Sequence, residues 1–178
     1  MDIKYNNIFL IGFMGTGKSA VAEKFSELYE WKCRELDSMI EKNEKRSISE
    51  IFKMNGEEYF RRIETEILKK TINEDHSIIS CGGGTPLKKE NVEAMKSHGV
   101  VIWLKADPLT VLNRVKGDTG RPLLKGNMNL PYIEAMMNKR KSYYEDASDY
   151  AIDTDRLSVN EICGQIMKIL LKTEEEYV

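Results

Sequence analysis

A chain of 178 residues with 41% hydrophobic and 31% charged residues has the make-up of an ordinary globular protein, and a formal net charge of −2 argues against a broad nucleic-acid-binding surface. No apolar stretch approaches membrane-spanning length, and Met1-Asp2-Ile3-Lys4 does not read as a signal peptide. Cys33, Cys81 and Cys163 are odd in number, scattered and without metal-ligand spacing, so one cytoplasmic domain spanning residues 1–178, with monomer as the default state, is expected.

The first element is an apolar run at residues 8–11, which reads as a buried strand. It runs into Gly12-Phe13-Met14-Gly15-Thr16-Gly17-Lys18-Ser19, and residues 20–25 then read as a helix. Strand, glycine-rich turn, Gly-Lys-Ser and helix make a phosphate-binding loop. Glycines let backbone N–H groups wrap a phosphate, and the helix adds the positive end of its dipole. Lys18 can reach the β- and γ-phosphates, and the Ser19 hydroxyl can hold Mg²⁺. Gly15, Thr16, Gly17, Lys18, Ser19 and Ala20 are therefore the expected ATP-binding run. A dinucleotide-binding turn is the weaker fit: Gly15, Gly17 and Ala20 match G-x-G-x-x-A, but such a turn has no use for Lys-Ser.

Residues 31–36 read as a second strand delivering Glu35 and Asp37 at its end, and Asp37 opens a short helix. Ser47-Ile48-Ser49-Glu50 is a capping box for a helix that stops near Gly56. A longer helix follows over residues 57–73, with Tyr59, Phe60, Ile63, Ile67 and Leu68 on its apolar face. Residues 77–81 form a third strand ending in Gly82-Gly83-Gly84; residues 89–97 form a helix, 100–104 a fourth strand and 108–115 a helix. Residues 116–131 carry three glycines and two prolines with little periodicity, which predicts a mobile cover over the site. A helix over 132–144, a fifth strand over 150–153 and a capped helix running from Ser158 to about Leu171 complete the chain. His76 and His98 sit near element ends and read as surface residues.

Strands alternating with helices predict a mostly parallel sheet with helices on both faces, and ligands at the C-terminal strand ends. That brings the phosphate-binding loop, Asp37, the triple glycine and the Asp153-Thr154-Asp155 turn to one edge. The guanine-reading Asn-Lys-x-Asp motif is missing, which argues against a GTPase switch. No hydrophobic strand ends in the usual metal-holding Asp, so Glu35 or Asp37 must serve. Size and the glycine-flanked loop suit a small-molecule kinase, which must exclude water to avoid hydrolysing ATP.

The phosphate-binding loop, Leu36-Asp37, Phe60-Arg61-Arg62-Ile63-Glu64, Gly82-Gly83-Gly84, Arg121-Pro122-Leu123-Leu124 and Arg140 with Tyr144 form an ordered set that resembles the shikimate kinase family over residues 7–170. The resemblance implies a three-layer α/β/α P-loop kinase fold with five parallel strands in order 2-3-1-4-5 and a mobile lid. It implies transfer of the ATP γ-phosphate to the 3-hydroxyl of shikimate, with Mg²⁺ as cofactor. Asp37 would bind substrate hydroxyls and accept the proton, although a helix N-cap role is also open to it. Arg61 and Arg140 would hold the acid's carboxylate, Gly82, Gly83 and Gly84 would line its ring, and Phe52 and Phe60 would wall the pocket. Helices over about residues 38–73 would carry much of that pocket. Arg121 would be the lid arginine at the transferred phosphoryl. Arg114 would stack on adenine opposite the turn of Asp153, Thr154 and Asp155. Ser19 would hold the metal directly, with Glu35 and Ser80 acting through water. Glu35 stands where the family usually has Asp, so it keeps the charge on a longer arm. Arg46 and Arg62 have no such support and read as surface or ion-pair residues. A kinase for another small hydroxylated acid, such as gluconate, and a nucleotide-binding regulator are the competing readings.

Overall fold

The computed structural model describes residues 5–116 and 129–171. Five parallel strands form one sheet: β1 (Asn7–Ile11), β2 (Lys32–Glu35), β3 (Ser77–Ser80), β4 (Val100–Lys105) and β5 (Tyr150–Asp153), in the order β2-β3-β1-β4-β5. The helices are α1 (Lys18–Tyr29), α2 (Leu36–Glu44), α3 (Ile48–Thr71), α4 (Lys89–His98), α5 (Pro108–Val115), α6 (Leu130–Ala147) and α7 (Val159–Leu170). A short 3-10 helix, Thr85–Leu87, which the sequence pattern did not reveal, follows the triple glycine.

The layering follows from strand alternation. Every β1 residue is buried, because both faces of a parallel sheet are covered. Phe9 and Ile11 belong to a core shared with α2 to α6, whereas Ile8 and Leu10 pack with α1 and α7 on the other face. At the N-terminal strand ends Asn7 acts as a clip: its amide donates to the Ile72 carbonyl at 3.2 Å and its carbonyl accepts from the Ser77 N–H at 3.1 Å.

Both capping boxes form, at Ser47 with Glu50 and at Ser158 with Glu161. The two helices expected on either side of Gly56 join as α3, kinked at that glycine, whose φ of 81° breaks the helix. Of the boundaries that differ from expectation, two bear on the site and its cover. Asp37 is not an N-cap: Glu35 takes that position and Asp37 lies in the first turn of α2. Leu130 and Pro131 belong to α6, capped by the Asn129 side chain, since proline's fixed φ suits a first helical turn. Residues 117–128 of the expected cover, Arg121 among them, lie outside the described residues.

Candidate active site

The phosphate-binding loop connects β1 to α1. Gly12, Gly15 and Gly17 all have positive φ (140°, 77° and 94°), and Gly17 occupies the N-cap of α1 in the left-handed region. A side chain would be strained at each, and a Cβ on Gly12 would fall 2.4 Å from the Leu104 carbonyl oxygen. The Thr16 hydroxyl donates to the Phe13 carbonyl at 2.8 Å and closes the turn. Lys18 is 9% exposed, and its ammonium donates to the carbonyls of Gly12 and Phe13 at 2.9 and 3.0 Å. A compact positive charge thus sits inside a ring of backbone at the end of a helix dipole, which is an anion cradle.

Beside it, three oxygen-bearing side chains from three elements converge. The Ser19 and Ser80 hydroxyls lie 3.4 Å apart, and both face the Glu35 carboxylate closely enough to favour its charged form. Burial pushes the Glu35 carboxyl above the usual range, the hydroxyls of Ser19 and Ser80 and the charge of Lys18 oppose this, and Asp37 adds to it. Hard oxygen donors in this number fit Mg²⁺, which takes few protein ligands and fills its shell with water and phosphate. Among the described residues no group of three or more His, Cys, Asp and Glu could hold a metal by itself.

A cleft of about 490 Å³ opens next to the loop, lined by Asp37, Ser38, Ile48, Phe52, Phe60, Arg61, Glu64, the three glycines and Arg140. A second cavity of about 310 Å³ holds Gly15, Gly17, Lys18, Ser19, Ala20, Ser80 and Arg114. Met14, Ser19, Glu35, Asp37, Gly82 and Gly83 line both, so the two cavities adjoin and read as one channel, with Asp37 among the residues at their junction.

The two arginines approach this cleft from different helices. Arg61 on α3 donates from Nη1 to Glu64 at 2.9 Å and from Nε and Nη2 to Glu57 at 3.3 and 3.1 Å. Burial works against its charge, but Glu64 and then Glu57 more than offset that and hold its pKa above the ordinary value. Arg140 on α6 reaches the Gly83 carbonyl at 3.5 Å, with its guanidinium carbon 5.8 Å from the centre of the Phe13 ring. The Phe52 and Phe60 rings lie 4.8 Å apart and form an apolar wall.

On the nucleotide side, Arg114 bridges the loop to the turn after β5. It donates to the Gly15 carbonyl at 3.3 Å, to Thr154 Oγ1 at 3.1 Å and to the Thr154 carbonyl at 3.1 Å. Asp153 and Asp155 shape that turn: Asp153 accepts from the Asp155 N–H at 3.0 Å, and Asp155 accepts from the Asp107 N–H at 2.9 Å. Arg46 pairs with Glu44 at 3.3 Å and Arg62 lies over the Tyr59 ring, both as surface residues. His98 bonds the Ala94 carbonyl in its own helix, and His76 stacks on Trp31.

Comparison with known proteins decides the family. The shikimate kinase family model matches residues 14–171. The chain is 41% identical to a shikimate kinase from Persephonella marina over 164 residues, covering 90% of this chain and 98% of that one. The chain belongs to the shikimate kinase family. A shikimate kinase from Dehalococcoides mccartyi is 37% identical, with 95% and 96% of the two chains covered. Among solved structures, the shikimate kinase from Acinetobacter baumannii in complex with shikimate superimposes with a TM-score of 0.90 at 27% identity, covering 98% of this chain and 97% of that one. The shikimate kinase from Aquifex aeolicus gives 0.78 at 32% identity over 91% and 94%.

Two side chains of this shikimate kinase family member, one lining the cleft and one bonded to a glycine that lines it, are given no role by the sequence pattern. Glu64 is fully buried, accepts from Arg61 and from Thr85 at 2.8 Å, and lies 2.7 Å from where a Cβ on Gly82 would be. Burial raises its pKa, Arg61 and Thr85 oppose the rise, and Asp37 adds to it. Its spacing of three from Arg61 on one helix was the available signal. Tyr144, four residues after Arg140, was noted without a role; its hydroxyl donates to the Gly83 carbonyl at 2.7 Å.

Proposed function

We propose that this chain transfers the γ-phosphate of ATP to the 3-hydroxyl of shikimate, giving shikimate 3-phosphate and ADP on the route to chorismate and the aromatic amino acids. The observation that carries this reading is the channel itself: an anion cradle at one end, two arginines at the other and a carboxylate where they meet.

Gly15 to Ala20 bind the triphosphate, and Lys18 leaves its backbone carbonyls to follow charge on the transferred group. Arg114 and the turn of Asp153, Thr154 and Asp155 flank the adenine. Ser19 would hold Mg²⁺, with Glu35 and Ser80 positioned to orient water around it. When bound, the ion neutralises phosphate charge. Arg61 and Arg140 pin the substrate carboxylate by bidentate pairing, and Gly82, Gly83 and Gly84 let the ring approach the backbone. Phe52 and Phe60 cover its apolar face. The ring is thereby turned so that its 3-hydroxyl meets Asp37.

The hydroxyl oxygen then attacks the γ-phosphorus, the bond from phosphorus to the β-bridging oxygen breaks, and ADP leaves. Asp37 accepts the hydroxyl proton. In a loose transition state that proton leaves late, so orienting the hydroxyl is the larger share of its contribution. Arg121, outside the described residues, is assigned to the transferred phosphoryl by the resemblance. Incubating the protein with ATP, Mg²⁺ and either shikimate or gluconate, with phosphorus NMR of the products, tests the proposal. A shikimate monophosphate ester is expected. Preferential gluconate phosphorylation, or hydrolysis alone, would overturn it.

A further inference from the structure

Tyr144 is a buried phenol that the transfer chemistry above does not use. It is 2% exposed, and burial pushes its hydroxyl pKa up to about 12, so it is a neutral donor at any working pH. Its ring stacks on Trp103, with centroids 5.7 Å apart and planes 27° apart. Trp103 in turn packs on the phosphate-binding loop: a Cβ on Gly12 would lie 3.3 Å from its Cδ1. A phenylalanine would fill the same space without a polar atom to desolvate, so the hydroxyl needs a reason to be there.

That reason lies in the peptide it holds. The Tyr144 hydroxyl donates to the Gly83 carbonyl at 2.7 Å, and Arg140 adds a longer contact to the same oxygen at 3.5 Å. The Gly83–Gly84 peptide is trans, so its C=O and N–H point in opposite directions. Tying the carbonyl to α6 therefore turns the Gly84 N–H away from α6. Gly84 lines the cleft, and among the described residues no backbone acceptor takes its N–H. Glycine peptides rotate easily, so without the tie this donor would be free to turn.

We propose that Tyr144 is a positioning residue for the acid substrate: its hydroxyl fixes the Gly83–Gly84 peptide so that the Gly84 N–H is presented to an oxygen of the bound acid. The proposal rests on the reading of this cleft as the shikimate site. Tyr144 lines neither cavity, and it acts through that peptide and the neighbouring Arg140 guanidinium. Losing one hydrogen bond to a carbonyl that Arg140 still reaches should weaken the acid's binding about three- to tenfold.

Calorimetric titration of the full chain with shikimate and, separately, with Mg·ATP tests this in wild type, Y144F, W103F and R140A. Y144F is expected to raise the shikimate Kd about three- to tenfold and leave the ATP Kd unchanged. W103F, which keeps the hydroxyl bond, is expected to bind shikimate as wild type does. Wild-type shikimate affinity in Y144F would overturn the proposal. So would an equal loss for both ligands, or an equal loss in W103F, since either would mean general loosening of the packing. R140A separates the two levels. If wild type fails to bind shikimate, or R140A binds it normally, the site reading has failed; if R140A is weak and Y144F is normal, only the role of Tyr144 has failed.

Discussion

Gly84→Ala tests the acid anchor through a contact that only the folded chain reveals. The Gly84 φ of −105° suits any residue, so the backbone does not resist the change. The new methyl would nevertheless lie 2.3 Å from Arg61 Nη2 and 2.5 Å from its Cζ and Nη1. Ordinary contact requires the guanidinium to move by at least about 1 Å, a displacement sufficient to cost on the order of 100-fold at a site built on orientation. Counted as hydrogen bonds to a charged group, the loss is about 1.5–3 kcal/mol, or roughly 10- to 100-fold in the shikimate Kd. ATP affinity should not change, because Arg61 does not line the nucleotide cavity. Stability should fall too, since fully buried Glu64 would keep Thr85 but lose its cation. The Glu64 pKa is already raised, and without Arg61 it would rise further, so the folded variant binds a proton more tightly than the unfolded chain does. The stability deficit should therefore be small at acid pH and grow as pH rises through that raised value. Calorimetry with both ligands and melting curves across pH read all three effects. A folded Gly84→Ala protein that binds shikimate as tightly as wild type would refute the assignment of Arg61.

Asp37→Asn should fold, bind Mg·ATP normally and lose at least about 100-fold in turnover; rapid-quench measurement of phosphoryl transfer at saturating substrates would reveal retained turnover, which would remove Asp37 from the mechanism. Arg114→Ala cuts the ties to Gly15 and Thr154, so KM for ATP should rise about tenfold while KM for shikimate stays put, and steady-state kinetics with each substrate varied would expose an equal rise in both. For Glu35, the raised folded pKa means that its contribution to stability is greatest below the ordinary carboxylate range and is lost as pH rises through the raised value. Glu35→Gln should therefore flatten the fall of melting temperature with pH in ligand-free protein and weaken Mn²⁺ binding followed by electron paramagnetic resonance; an unchanged slope contradicts the burial argument. Asn7→Ala leaves the Ile72 carbonyl and the Ser77 N–H without their side-chain partner in a buried setting, at a cost of about 2–4 kcal/mol in denaturant unfolding, with both KM values unaltered.

What the sequence revealed was whatever depends on local pattern. Continuous apolar runs, two capping boxes and Pro108 mark their elements within a residue or two, because local hydrophobicity, cap chemistry and proline geometry act over a few residues. Parallel pairing followed from alternation of strands and helices, whereas the strand order came with the family resemblance, and the phosphate-binding loop carried its own chemistry. Contacts across the fold were harder to read. Arg61 and Glu64 are close in the chain, but only tertiary packing buries them together and sets Gly84 against the guanidinium. Likewise, nothing local says that the Tyr144 hydroxyl meets the Gly83 carbonyl, a contact made across 61 positions. The sequence pattern sets the start of α6 two residues late, because Leu130 and Pro131 continue a glycine- and proline-rich stretch. Asp37 was offered a capping role that Glu35 fills, since strand and helix abut with no intervening loop.

The most direct test of the account is continuous measurement of ADP release from Mg·ATP with and without shikimate. The account predicts rapid release that requires shikimate, saturates with it and stops when it is exhausted, with one ADP formed per shikimate consumed. Release at the same rate without shikimate, or no release with it, would contradict the claim that this channel joins a phosphate cradle to a site for a hydroxylated acid.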